Sequence, residues 1–224
     1  MEKEFDRHQM DCQPPEEKIK IRLARAERGP SGVIEKFVNQ YENEFQTGED
    51  ILEVGSGEGR NFEAFKNRPD LKLHGIEYDS DAVKISQEHL NKIGIKADII
   101  QGSFTDLPFK PESMRAVISH SSIQNARTWP DLEKTFSEIT RVLKPGGLFL
   151  MRDNYAPRLI DADRKNRVAY FTEEEIEKLT KQNGFDIIAG EKPVEGEADA
   201  SRVGGKKIAW ELILRKNEVR ENQT

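Results

Sequence analysis

Apolar positions follow a helical rhythm in the first part of this chain and a strand–helix alternation from residue 50 onward. Between Glu16 and Glu27, Ile19, Leu23 and Ala26 stand at helical spacing in a charged background, and Gly29-Pro30 ends the run. Ser31 then suits a helix cap, and Val33, Ile34, Phe37, Val38, Tyr41 and Phe45 form one apolar face, expected to pack on a sheet edge. Short apolar runs predict strands at Asp50–Val54, Leu71–Ile76, Ala97–Gln101, Ala116–Ser119, Leu148–Arg152, Phe185–Ala189 and Lys207–Leu214. Amphipathic stretches between them predict helices at Asn61–Lys66, Asp81–Ile93, Pro130–Leu143 and Glu173–Gln182. This alternation implies an α/β fold with parallel strands, right-handed crossovers and helices on both faces. The last two strands are joined by a polar, glycine-containing link unsuited to a crossover helix, so an antiparallel hairpin is expected there. Lys144-Pro145-Gly146-Gly147 reads as a breaker between helix and strand. Residues before Pro15 read as a polar, mobile arm, and Asn217–Thr224 as a frayed tail.

The first strand runs directly into Gly55-Ser56-Gly57-Glu58-Gly59-Arg60-Asn61. Glycines there force a tight turn and let backbone approach a ligand closely, and a following helix would aim unpaired amides at an anion. The spacing is not the Gly-x-Gly-x-x-Gly of dinucleotide sites, and Glu53 sits inside the strand just before the turn. A carboxylate there repels a pyrophosphate and attracts an ammonium, so the corner suits a ligand carrying both amine and carboxylate.

Composition narrows the class without naming the chemistry. At 224 residues, with 35% hydrophobic and 34% charged residues, the chain fits one α/β domain with a sizeable core. Its net charge of −6 argues against a general grip on polyanions. Lys18, Lys20, Arg22, Arg25 and Arg28 nevertheless cluster, as do Arg164, Lys165 and Arg167, in patterns that fit either solvated surface or nucleic-acid contact. The single cysteine, Cys12, precludes an internal disulfide and a Cys-rich metal site, and no His/Cys/carboxylate set has metal-ligand spacing. No run is long enough to span a bilayer and Met1–Pro15 lacks a signal-peptide pattern, so a cytoplasmic address is expected.

Glu53, Gly55, Gly57 and Gly59 together resemble motif I of the class I S-adenosylmethionine-dependent methyltransferases, in the manner of the type 11 and 12 members. The resemblance covers roughly Ile51 to Lys216. It implies a Rossmann-like three-layer fold whose seven-stranded sheet is mostly parallel with the last strand reversed, S-adenosyl-L-methionine as cofactor, and N-terminal helices placed as a lid. Residues 1–48 would then form the arm and lid, 49–216 the methyltransferase domain, and 217–224 the tail. Glu53, Gly55, Ser56, Gly57 and Asn61 would hold the amino-acid end of the cofactor. Glu77, at the end of the second strand, is placed for the ribose hydroxyls and Tyr78 for one face of the adenine. Gly102, Ser103 and Phe104 follow the third strand where the family often reads Gly-Asp-x, with Ser103 standing in for the acid. Ser119 completes the cofactor set.

Acceptor candidates lie at the ends of the fourth and fifth strands: His120, Asn125, Arg152 and Asp153. His120 suits either a general base or a pocket wall. Methyl transfer is an in-line displacement that positioning and desolvation can drive, so no acid–base residue is required. The chain lacks Asn/Asp-Pro-Pro-Tyr/Phe, expected for amino-group methylation of adenine or glutamine, and a Pro-Cys nucleophile for cytosine carbon-5. Ser121-Ser122-Ile123, Leu143–Asp153 and Arg167–Glu174 resemble the tRNA 3-methylcytidine methyltransferases, without that family's aromatic-rich N-terminal segment. The leading expectation is methylation of a small molecule at oxygen or nitrogen. A tRNA base methyltransferase and a non-catalytic cofactor-binding scaffold for a partner protein are the alternatives.

Overall fold

The structure, a computed structural model, describes residues 14–154, 173–191 and 209–218. The N-terminal arm and the basic triad at Arg164 lie outside these residues. A seven-stranded sheet has the order β3-β2-β1-β4-β5-β7-β6. Its strands are β1 (Asp50–Val54), β2 (Lys72–Glu77), β3 (Ala97–Gln101), β4 (Met114–His120), β5 (Leu143–Asn154), β6 (Phe185–Glu191) and β7 (Ala209–Lys216). The first five pair in parallel, while β7 runs antiparallel between β5 and β6, as the hairpin reading expects. The strand order reverses direction at β1 and β4, so the carboxyl ends of these two strands flank a natural ligand crevice.

Alternation along the central strands divides the core in two. Leu52, Val54, Val117, Phe149 and Met151 belong to one hydrophobic cluster, shared with Leu132, Phe136, Ile139 and Val142 of helix α4 (Trp129–Val142) and with Ile176 and Leu179 of α5 (Glu173–Gln182). Ile51, Leu73, Ile118, Leu148 and Leu150 belong to the other, shared with Ile34, Phe37 and Val38 of α2 (Gly32–Gln40) and Leu90 of α3 (Ser80–Lys92). Burial of a parallel sheet on both faces explains why its strands read as continuous apolar runs. Helix α1 (Pro15–Ala26) packs on α3 and buries only Ala26, with Ile19 and Leu23 left exposed.

Three expectations change. The apolar face of α2 packs on the face of the sheet, not on its edge: Phe37 is buried, with the Tyr41 and Phe45 rings 5.4 and 6.0 Å away. The segment expected as a helix at Asn61–Lys66 is a 3₁₀ turn, Arg60–Phe65. Phe62 and Phe65, three residues apart, fall on one buried side of that tighter helix, and Pro69 disfavours helix at Arg68, whose guanidinium donates to Phe45 O and Asp70. Lys144–Gly147 does not separate helix from strand but bulges within the pairing of β5, which runs from Met114↔Leu143 to Ala116↔Leu148.

Because α2 fills one of the two core layers, truncating its central ring should damage the whole fold. Phe37→Ala is expected to lower unfolding free energy by about 3–5 kcal/mol in denaturant titration. A loss below about 1 kcal/mol would show that α2 is a dispensable appendage.

Candidate active site

The glycine corner joins β1 to the 3₁₀ turn with three alternate glycines in left-handed conformation, Gly55, Gly57 and Gly59. Two of them matter most. A Cβ on Gly55 would lie 2.4 Å from Ser122 Oγ, which donates to the Gly55 carbonyl at 3.0 Å. Gly57, at φ +55°, faces open space, so the backbone there can be approached closely.

Four of the corner's amides are already engaged. Gly55 N and Ser56 N both donate to Ile76 O, Gly59 N to Ser56 O, and Gly57 N to Glu77 Oε2 at 3.0 Å. With a six-residue 3₁₀ turn in place of an α-helix, the expected positive helix dipole is not built. What the corner offers instead is negative charge and lone pairs. Glu53, 2% exposed, accepts from Asn61 Nδ2 at 2.6 Å through one oxygen, while its other oxygen has no partner among the described residues. Burial pushes its carboxyl up to about 8, against the weaker opposing pull of the Asn61 bond and the Arg60 charge. Ser56 Oγ is likewise buried without a partner among the described residues. Asn61 Oδ1 accepts from Ser31 N, so the side chain that orients Glu53 also ties the corner to the start of α2.

Glu77 ends β2 and is buried. Its two oxygens accept from Gly57 N and Asp79 N, at 3.0 and 2.9 Å. Tyr78, 66% exposed, flanks it. After β3, Gly102 N donates to Glu77 O and joins this neighbourhood. Ser103 Oγ is occupied locally, 2.8 Å from Thr105 Oγ1 and accepting from Thr105 N, and Phe104 is half-buried against the core.

The candidates after β4 and β5 divide by face. His120 and Arg152, paired across the two strands, line a cleft of about 490 Å³ with Pro30, Ser31, Lys36 and Arg60. Ser119 and Asp153 point into the opposite layer and are fully buried, with Ser119 Oγ donating to Asp153 at 3.0 Å. Asp153 also accepts from Gln124 N, and burial pushes its carboxyl up to about 7. It therefore braces the loop under the cleft and does not reach it; nor does it form a surface pair with Arg152. Asn125 Nδ2 is used on Ser121 O and Ser122 O, closing its own turn. Ser121 itself adopts φ +57°, a strained conformation for a side-chain-bearing residue, next to both groups of residues.

Two contributors escaped the sequence reading. Ser122 backs Gly55 from a loop 67 residues away, with no local signal. Arg22, read as one of a basic surface cluster, is instead largely buried, bridging Glu58 at 2.9 Å and Asp79 at 2.6 Å, so α1 is latched across the corner and the end of β2.

A protein-family model described as a methyltransferase domain matches residues 51–147. Sterol methyltransferase-like 1 of Botryococcus braunii is 29% identical over 170 residues, 75% of this chain and 40% of that protein. A fatty-acid O-methyltransferase of Mycolicibacterium smegmatis is 32% identical over 108 residues, 47% of this chain and 37% of that protein. The chain thus spans about two-fifths of the length of these curated relatives. Among solved structures, an S-adenosylmethionine-dependent methyltransferase from Clostridium acetobutylicum ATCC 824 superposes with a TM-score of 0.67 at 14% identity, over 89% of this chain and 96% of that one.

The buried Glu53 carboxylate makes a stability prediction. Protonated in the fold up to pH about 8 but ionised above about 4.5 when unfolded, it costs nothing at low pH and progressively more as pH rises between these values. Each pH unit within that window costs up to about 1.4 kcal/mol. Glu53→Gln is therefore expected to be near neutral at pH 5 and stabilising by a few kcal/mol at pH 8.5. Thermal unfolding across that range checks it; a difference that does not vary with pH would refute the burial argument.

The match to a methyltransferase domain thus starts in β1 and runs through the glycine corner into the β5 bulge, on a seven-stranded sheet with a reversed β7.

Proposed function

We propose that this chain transfers a methyl group from S-adenosyl-L-methionine to an oxygen or nitrogen of a small molecule. The observation that carries the reading is the pairing, at one crevice, of a half-satisfied buried carboxylate at Glu53 with a backbone-anchored carboxylate at Glu77. The two recognise different parts of one ligand. Glu53 and Ser56, each with a buried oxygen lacking a partner among the described residues, fit the ammonium of an amino-acid group. An ammonium brought against Glu53 would favour its ionised form and offset the desolvation that otherwise keeps it protonated. Glu77 fits a ribose diol, since its backbone bonds fix the carboxylate's orientation before the sugar arrives. Open space at Gly57 lets the ligand lie across the corner without a Cβ in the way.

When bound, the cofactor supplies an electrophilic methyl on a sulfonium. The residues of this chain position the acceptor and exclude water. Arg22 latches α1 against Glu58 and Asp79, and Ser31 and Asn61 hold α2 beside the corner, where α2 forms one wall of the cleft in which His120 and Arg152 stand. No side chain is assigned to proton transfer. The names of the relatives, sterol and fatty-acid methyltransferases, support a small-molecule acceptor. Among the described residues no helix is long and apolar enough to cross a membrane.

Removing the Glu77 carboxylate deletes the proposed sugar contact together with its bonds to Gly57 N and Asp79 N. Glu77→Ala is expected to weaken cofactor affinity by about 1.5–3 kcal/mol, the range for a hydrogen bond to a charged group. Titration calorimetry measures it, with circular dichroism to verify the fold. Unchanged affinity would reject Glu77 as the ribose ligand.

A further inference from the structure

The cleft at the mouth of β4 and β5 carries a charge pattern that the cofactor site does not explain. Among the described residues, Lys36, Arg60, His120 and Arg152 are the ionisable groups on its wall, and no carboxylate is among them. Such a concentration of cationic side chains is notable in a protein of net charge −6. The central group is Arg152. One of its terminal nitrogens donates to Ser121 Oγ at 3.3 Å, while its buried Nε–H has no acceptor among the described residues. Glu211 is its cross-strand neighbour on β7, yet the two form no ion pair. A desolvated guanidinium with an unmet donor is costly unless an anion completes it, and its planar fork matches the two oxygens of a carboxylate or phosphate.

The backbone holds this group in place. Arg152 O accepts from Ser121 N at 2.7 Å, in the strained turn after β4, so Arg152 is fixed beside His120 at the strand ends. Lys36 reaches the same cleft from α2 and Arg60 from the 3₁₀ turn, so with β4 and β5 four separate elements converge on it.

We propose that the cleft seats an anionic group of the methyl acceptor, a carboxylate or phosphomonoester on a small organic molecule, with Arg152 as the specificity-determining contact. The word acceptor rests on the methyltransferase reading; the anion site itself does not. A volume near 490 Å³ suits a compact ligand. Gripping a nucleic acid would need a basic track along many phosphates, whereas these cations are gathered in one recess of an acidic protein.

The test uses the full chain saturated with S-adenosylhomocysteine and three small probes of similar shape: benzoate, phenyl phosphate and neutral benzamide, titrated by ligand-observed NMR. One of the anions should bind about tenfold or more tightly than benzamide, and which one does identifies the acceptor's acid. Arg152→Gln should remove most of that preference, and Lys36→Gln, at an exposed position, should weaken the anion about threefold, with S-adenosylhomocysteine affinity unchanged in both. Because Arg152 is partly buried, melting temperatures are compared first, and Lys36→Gln carries the test if Arg152→Gln does not fold. Equal binding of anion and amide, or anion binding unaltered in every folded variant, would overturn the proposal. Binding of bulk tRNA in preference to phenyl phosphate, lost as salt is raised, would overturn the small-molecule assignment. Repeating the titrations without S-adenosylhomocysteine separates the two readings. An anion preference in a protein that does not bind S-adenosylhomocysteine sustains the anion site and sinks the methyltransferase; the reverse result overturns the anion site alone.

Discussion

The bond from Gly57 N to the Glu77 carboxylate holds together the parts on which the rest of this structure depends. It fastens the loop after β1 to the end of β2, with Gly55 and Ser56 completing the join through Ile76 O. Parallel pairing already sets the two strands side by side, in register from Asp50↔Lys72 to Val54↔Ile76. The extra bond orients a carboxylate at the rim, and this determines what the crevice can recognise. The amides of Gly55, Ser56, Gly57 and Gly59 are satisfied within the fold. Under the proposed reading, the corner selects for a ligand with an amine and a diol, and against one with a pyrophosphate.

That choice has an energetic consequence. A carboxylate buried like Glu53 is held near neutrality by desolvation, and the fold tolerates it because the remaining core is well packed on both sheet faces. Asp153 is a second such group, but its hydrogen bonds to Ser119 and Gln124 satisfy it internally. The contrast separates a carboxylate with an unpartnered oxygen from a bracing one. Both are buried and both are shifted upward; only Glu53 retains an oxygen with no protein partner among the described residues.

Sequence periodicity revealed the sheet, its reversed edge and the central corner because each rests on local pattern: apolar runs, a glycine cluster, a polar link. It misjudged Asn61–Lys66 because two phenylalanines three residues apart fit either an α-helix or a 3₁₀ turn, and Pro69 with the Arg68 bonds decides between them in three dimensions. It placed α2 on the edge because an amphipathic face does not say which surface it covers. Ser122 and Arg22 were invisible for a different reason. Their roles depend on partners 67, 36 and 57 residues away, and neither side chain carries a motif. The acceptor candidates His120, Arg152 and Asp153 and the cofactor candidate Ser119 show the same limit at one-residue resolution: adjacent positions on a strand point to opposite layers, so proximity in sequence put all four near the pocket and the pleat leaves only His120 and Arg152 there.

The central claim is that the crevice above β1 and β2 takes an amino-acid amine at Glu53 and a sugar diol at Glu77. A crystal structure of the full chain grown with S-adenosylhomocysteine tests it most directly. The account predicts the ligand's ammonium within hydrogen-bond distance of Glu53 or Ser56 and both ribose hydroxyls on Glu77, with Gly57 beneath the chain that links them. A ligand lying elsewhere, or lying here with its sugar turned away from Glu77, would contradict it.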